Sequence, residues 1–399
     1  MASIGFKAGL LLVVLLKICS GRNLLQHEWD PKGYVMYCPC MGQFSGQTEQ
    51  FLGALSFAKG INRVLVIPNY INYPCGRKRH AHPGAISLPV SRQHNIYKSF
   101  DDYFNLDKVK EYYPDVILMD EFMDAFGDKE WSEGKRLAYC SEKAAEFNEG
   151  ACPRKGNPFS EFWDHFDIKF DGSKEWSGDF HFNVEYDQWR QNWEEDYKPK
   201  DHPVLAFMSA PAISPLTEVA GKLQEYLEWQ PTIVEKCDKI IEENLIRPYI
   251  GIHLRNGADW VRTCQLAEEG EYQQLMSSRQ CTGVTHDDTI KIDHKMCIQS
   301  EEQVIKDLAH VVRKEQPKSI FVATDHESMV EELQEAFPEI KIFHLDPEKP
   351  EHDMYILGQS DHFVGNCVSA FSHYVRRERD VFSKPNTYFG WKSNYHDEL

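Results

Sequence analysis

The sequence predicts an α/β protein of two Rossmann-like domains that face each other across a cleft. Three observations predict it. Apolar, β-branched runs of strand length alternate with segments of helical periodicity, the pattern of a parallel sheet covered by helices. The 399 residues are too many for one simple core and suggest roughly two. Charged and donor groups stand where strands leave the sheet, the edge at which open α/β sheets bind ligands.

The expected organisation is a signal peptide over 1–21, a first domain over 26–210, a second over 211–385 and a tail over 386–399. Lys7, the apolar run Leu10–Leu16 and the small residues around Cys19-Ser20-Gly21 have the order of a secretory signal, too short to span a bilayer. The chain ends in His396-Asp397-Glu398-Leu399, the retrieval tetrapeptide of the endoplasmic reticulum lumen, which makes the retrieval receptor a partner. No further segment reads as a transmembrane anchor. A formal net charge of −18 argues against a nucleic-acid partner, and Arg77-Lys78-Arg79-His80 reads as a solvated loop. With Cys19 in the signal segment, ten of the 11 cysteines lie in an oxidising compartment, where disulfides persist. Cys38-Pro39-Cys40 lacks a second cysteine or histidine pair at zinc spacing, so no metal site is expected there.

Taken in order, Gly33–Cys38 reads as a strand, Gly42-Gln43-Phe44-Ser45-Gly46-Gln47 as a tight turn, and Phe51, Leu52, Leu55 and Ala58 as a helix stopped by Gly60. Arg63–Ile67 is the next strand. This βαβ unit has a glycine-bearing first loop without the full dinucleotide pattern. From Pro74 to about Asp201 the pattern weakens, and short helices with long loops are expected. Val204–Phe207 is a strand, and the domain boundary is placed just after it. Val219–Leu227 and Ile233–Leu245 read as helices broken by Pro231. Cys237 shares a helical face with Val234, Ile240 and Ile241 and reads as a buried free thiol. Thr263–Cys297, with three cysteines, reads as a stapled loop. Val304, Ile305, Leu308, Val311 and Val312 form a helical stripe, and Ser319–Asp325 and Lys341–Leu345 are strands.

Two places carry chemistry. Tyr249–Ile252 is a buried strand that runs into His253-Leu254-Arg255 before Asn256-Gly257 turns the chain. An arginine there, with its fixed fork of donors, suits a phosphate or diphosphate, while the plainer alternative is a structural arginine paired to a carboxylate. Later, His362–Gly365 is a short strand and Asn366–Phe371 opens a helix with Ser369 as its cap candidate. The N–H groups of Ala370 and Phe371 fall at the helix start, where a phosphate oxygen can be received. Two Rossmann-like halves, a nucleotide-type site in the second and a short loop facing it from the first, describe the GT-B architecture of nucleotide-sugar glycosyltransferases. No Asp-x-Asp motif stands in metal-ligand context, so cationic and N–H donors would stabilise the leaving group without a divalent metal.

The segments YCPCMGQFSGQTEQFLGALSFAKG, GIHLRNGADW, VATDHES, HDMYILGQSDHFVGNCVSAF and VRRERD resemble the GDP-fucose protein O-fucosyltransferases that modify EGF-like repeats, from about Gly33 to the terminus. The resemblance implies inverting transfer of L-fucose from GDP-β-L-fucose to a Ser or Thr hydroxyl of a folded EGF-like domain, Notch-type receptors and their ligands included. It implies a monomer and no required cofactor. It places Arg255 on the β-phosphate, with His253 near the ribose and Leu254 between them in the donor site. Asp353 would meet the guanine, and Ser369, Ala370 and Phe371 the diphosphate and fucose, while Asp259 would support the arginine turn. It implies disulfides Cys38–Cys40, Cys140–Cys152, Cys264–Cys297 and Cys281–Cys367, leaving Cys75 and Cys237 unpaired.

This chain departs from that pattern in the first loop. The family has Gly-Arg-Phe-Gly-Asn-Gln; here Gln43, Phe44, Ser45 and Gly46 stand between Gly42 and Gln47, so Gln43 replaces the arginine and Gly46 the asparagine that positions acceptor or fucose. Ala370 replaces a family serine. A dissociative, oxocarbenium-like path needs little general-base help, and such a loss then costs on the order of 10²-fold. Two other readings stay open: a chaperone-like binder of EGF-like domains with weakened transfer, and a fucosyltransferase acting on glycans.

Overall fold

The computed structural model describes residues 27–39, 42–72, 96–146, 150–152, 162–178, 180–257, 260–261, 264–265, 269, 294–346 and 349–390. The signal segment, the basic run at Arg77, Cys40, Cys75, Asp259, Cys281 and the terminal tetrapeptide lie outside these residues.

Short strands, apolar at the centre and polar at some edges, make two parallel sheets. The first contains β1 (Tyr34–Tyr37), β2 (Val64–Ile67), β5 (Val116–Leu118), β6 (Leu137–Ser141), β7 (Gly172–Trp176) and β8 (Val204–Phe207) in the order β5-β2-β1-β8-β6-β7. All its pairings are parallel. The remaining pair, β3 (Tyr70–Asn72) and β4 (Ile96–Lys98), forms an antiparallel ribbon. The second sheet contains β9 (Tyr249–Leu254), β10 (Ser319–Thr324), β11 (Lys341–His344), β12 (His362–Gly365) and β13 (Asn386–Tyr388), again all parallel, in the order β11-β10-β9-β12-β13. Parallel strands need crossovers and are covered on both faces. Separate buried clusters accordingly line the outer faces of the two sheets, and a third runs from one sheet to the other.

Each sheet reverses its strand order beside its first strand. From β9 the chain steps outward to β10 and β11, then crosses back to set β12 on β9's other side. In the first sheet it steps from β1 to β2 and β5, then crosses to β6 and β8. Ligand crevices form at such switch points.

The two sheets meet through the first helix, Phe44–Gly60, and the last long one, Ala370–Val381, which pack on each other. Trp229 bridges their first turns, 6.1 Å from Phe44 and 5.5 Å from Tyr374 between ring centroids. Farther along both helices, Glu49 pairs with Arg377. The contacts advance in the same sense, so both helices start on the same side of the molecule.

Three expectations are corrected. Residues Phe44–Gln47 are the first turn of the helix; only Gly42, at φ +77°, turns the chain in the left-handed region that glycine favours. Asn386–Tyr388 is an edge strand of the second sheet rather than the start of a tail, because Phe363, Val364 and Gly365 supply its ladder. The weakly patterned stretch after Pro74 holds β5, β6 and β7 of the first sheet besides its helices. Pro231 sits in the first turn of the helix Pro231–Asn244, where its missing N–H leaves no intrahelical bond unmade.

Candidate functional site

Strand β9 is buried along its whole length, and its register with β10 pairs Leu254 with Thr324. The next residues, Arg255 and Asp325, therefore leave the sheet side by side. Asp325 Oδ2 meets the Arg255 guanidinium, and its Oδ1 accepts the N–H groups of Asn256 and Gly257 at 3.0 and 3.2 Å. Thr324 Oγ1 donates to Asn256 Oδ1 at 2.9 Å, and Asn256 Nδ2 donates to the Glu327 carbonyl at 2.8 Å. The turn that presents Arg255 is thus fastened to the end of the neighbouring strand. The arginine is carboxylate-paired, and at 21% side-chain exposure it remains reachable from solvent.

A second set of contacts joins this turn to the helix start. The Arg255 guanidinium lies 4.8 Å from the Trp260 ring centroid. Trp260 Nε1 donates to the Cys297 carbonyl at 3.0 Å, and Asn366 Nδ2, at the exit of β12, donates to the same carbonyl at 2.7 Å. Cys297 is held in turn by its disulfide to Cys264. His253, 3% exposed, stacks on Phe371 with centroids 4.3 Å apart, and its Nδ1 is 2.7 Å from Ser372 Oγ. Ser372 Oγ also accepts the Asn366 N–H at 2.8 Å. Burial, reinforced by Arg255, pulls the His253 imidazole down to about 3, so it is neutral at physiological pH.

The helix opens at Ala370 with Ser369 in the cap position, but the Ser369 side chain makes no capping bond. The first N–H groups of any helix lack intrahelical acceptors and carry its positive dipole end. They emerge here one residue from the ring that His253 stacks on. The Leu254 side chain is buried with Ile250 and Ile252 on the far face of the sheet, so only its backbone reaches the edge.

Asp353 lies in the helix Pro350–Gln359, which follows β11 and so begins at the same sheet edge; its side chain is 3% exposed. On the first domain, Gln43 is the exposed residue before the helix, Ser45 is half-buried and Gly46 buried. Phe44 stacks on Tyr70 at 4.8 Å. Position 46 contributes no side chain where the family pattern has an amide.

Two residues that the sequence reading passed over prove central to this geometry. Asp325 fastens the arginine turn, the task expected of Asp259, which lies outside the described residues. Its signal was present in Thr324-Asp325 at a strand end. The Gln47 amide donates to the Ile71 carbonyl and accepts the Ile71 N–H, both at 2.8 Å, and donates also to the Gly42 carbonyl at 3.1 Å, so it pins β3 and the preceding turn to the first helical turn.

Of the disulfides, Cys140–Cys152 and Cys264–Cys297 form. Cys38 and Cys367 are also disulfide-bonded, which removes Cys38 as a thiolate metal ligand. Cys237 is the buried free thiol expected, and burial pushes it up to about 12.

The model of the family described as GDP-fucose protein O-fucosyltransferase matches residues 34–382. The chain belongs to that family. GDP-fucose protein O-fucosyltransferase 1 of Caenorhabditis elegans is 36% identical to this O-fucosyltransferase over 393 residues, 96% of each chain. Among solved structures, apo POFUT1 superposes with a TM-score of 0.79 at 35% identity, covering 92% of this chain and 100% of its own. POFUT1 in complex with GDP-fucose gives 0.79 at 35%, covering 91% and 99%. The expected family and the GT-B type α/β fold are both borne out, and the protein is a glycosyltransferase.

Proposed function

We propose that this O-fucosyltransferase transfers L-fucose, with inversion, from GDP-β-L-fucose to a Ser or Thr hydroxyl of folded EGF-like domains, Notch-type receptors and their ligands included, in the endoplasmic reticulum lumen. The observation that carries the reading is the convergence of Arg255 and the start of the helix Ala370–Val381 at one switch point, linked through His253, Phe371 and the Cys297 carbonyl. It is supported by likeness to a protein whose crystal structure contains GDP-fucose.

The chemistry follows from charge. As the sugar–phosphate bond breaks, negative charge gathers on the β-phosphate. Arg255 takes that charge with two parallel donors, and the N–H groups of Ala370 and Phe371, beside Ser369, take another oxygen. These donors do the work a divalent cation does elsewhere, so no metal is required. His253, a base of conjugate pKa about 3, is too weak to deprotonate the acceptor and instead packs the ribose side. The departing phosphate oxygen receives the hydroxyl proton. Asp353 accepts from the guanine N1–H and N2–H₂, and Gln43, Phe44, Ser45 and Gly46 line the GDP-fucose site from the first domain, with Gly46, beside Arg255, at a catalytic position between fucose and acceptor. The lumenal address rests on the leader-like first 21 residues and the terminal HDEL.

A second reading, a binder of EGF-like domains with weakened transfer, is favoured by Gly46 in place of the family's asparagine. Purified protein, GDP-fucose and a folded EGF-like domain decide between them. A mass gain of one fucose is expected; EGF-domain binding without any gain at high enzyme concentration favours the second reading.

A further inference from the structure

We propose that the buried Glu49–Arg377 ion pair, keyed by Gln224, is a positioning device that fixes the start of the first helix against the start of the last, and so aligns acceptor with donor. Glu49 Oε1 and Arg377 Nη1 are 2.8 Å apart although 328 residues separate them in sequence, and their side chains are 8% and 15% exposed. The Arg377 Nε–H donates to Gln224 Oε1 at 3.3 Å, so a third segment holds the same guanidinium.

Its placement is what matters. Glu49 lies five residues beyond Phe44, and Arg377 seven beyond Ala370. At 1.5 Å rise per residue the pair sits roughly 7–11 Å behind both helix starts. Around it the contact between the domains combines the rings of Phe44, Phe104, Trp229 and Tyr374 with an antiparallel bridge at Phe104–Trp229, where Asn105 N–H donates to the Glu228 carbonyl and Gln230 N–H to the Tyr103 carbonyl, both at 2.8 Å. These contacts lie toward the helix starts and leave the later turns to be held by other groups. Arg377, bonded through Nη1 to the Glu49 carboxylate and through Nε to the Gln224 amide, adds directional hydrogen bonds farther along both helices. A buried ion pair is a poor source of stability but a good source of registry. Neither residue belongs to the donor site, which is built on the second domain from Arg255 and the helix start, so their loss moves the domains relative to each other and leaves donor contacts whole.

This inference rests on the proposed function for its kinetic readout and is separable from it by a distance measurement. Full-length protein is compared with Glu49→Gln, Glu49→Ala and the reciprocal Glu49→Arg/Arg377→Glu. GDP affinity is measured by calorimetry, and kcat and KM for fucose transfer are measured separately. Nitroxides on the exposed positions Asp128→Cys and Glu332→Cys report the inter-domain distance. We expect GDP affinity within about twofold of wild type in every variant. In the single variants kcat falls about 10²-fold, the cost of a misplacement near 1 Å, and the distance distribution broadens. In the reciprocal variant the distribution narrows again and at least a tenth of kcat returns. Unchanged kcat with an unchanged distribution overturns the proposal, as does GDP affinity falling in step with kcat. If wild type itself transfers no fucose, the proposed function fails and the distances alone decide: broadening upholds the positioning role, and no broadening overturns it.

Discussion

Asp325 spends one carboxylate oxygen on the N–H groups of Asn256 and Gly257 and turns the other to Arg255, so a single side chain shapes the arginine's turn and aims its fork. Removing it leaves two backbone donors without that acceptor and the guanidinium without its guide. Losses of this kind cost about 1–3 kcal/mol. Asp325→Ala is expected to weaken GDP binding about tenfold or more by calorimetry, and Asp325→Asn, which keeps an acceptor oxygen, less. Tighter binding in Asp325→Ala would show instead that the carboxylate competes with the diphosphate.

The Cys264–Cys297 disulfide stabilises the same site from the other side, because the Cys297 carbonyl receives both Trp260 and Asn366. It closes a loop of sequence separation 33, worth about 3–4 kcal/mol on chain-entropy grounds. The Cys264→Ser/Cys297→Ser pair should lower stability in denaturant by about that amount and weaken GDP binding as well. Lost stability with unchanged GDP affinity would separate the disulfide from the site.

The first helical turn supplies a gain-of-function test. Gln43→Arg with Gly46→Asn restores the family pattern at two positions, one exposed and one in the turn behind Phe44. Turnover on a folded EGF-like domain should rise on the order of 10²-fold, in kcat more than in donor KM. No rise would mean that this chain positions its acceptor by other groups.

Most of this site was legible in the sequence. Donors at a strand exit, Arg255 among them, and a serine in the cap position before an amphipathic helix are local patterns that report where a chain leaves a sheet. What escaped was non-local or short. Asp325 acts on Arg255 across a strand pairing that no spacing encodes. Strand β5 has only three residues, and β7, reading Gly-Ser-Lys-Glu-Trp, is a half-exposed edge with no apolar run to betray it. The Phe44–Gln47 turn carries two polar residues and a glycine, which hid a helix start that Gln47 secures through Ile71.

Buried titratable groups set an opposed pair of pH dependences. Glu378 accepts from Trp229 Nε1 at 2.8 Å, and burial pushes its carboxyl up to about 7. The folded chain holds that proton more tightly than the unfolded one, so stability falls as pH rises from about 4.5 through 7, by on the order of 3 kcal/mol. His253 and His373 are held down to about 3 by burial, so the folded chain binds fewer protons and stability falls as pH drops below 6.5. Glu378→Gln should remove the fall in Tm between about pH 4.5 and 7 that comes from this carboxyl and leave the loss below 6.5 that comes from the histidines. An unchanged slope of Tm between pH 4.5 and 7 would assign that loss to other groups.

The central claim is that a guanidinium at the rim of the second sheet holds the leaving diphosphate of a sugar nucleotide. Its most direct measurement is fucose incorporated into a folded EGF-like domain, read by mass, with wild type and Arg255→Ala at equal concentration. Wild type is predicted to add one fucose and Arg255→Ala to lose transfer by about 10²–10³-fold. Transfer by Arg255→Ala within tenfold of wild type would contradict the claim.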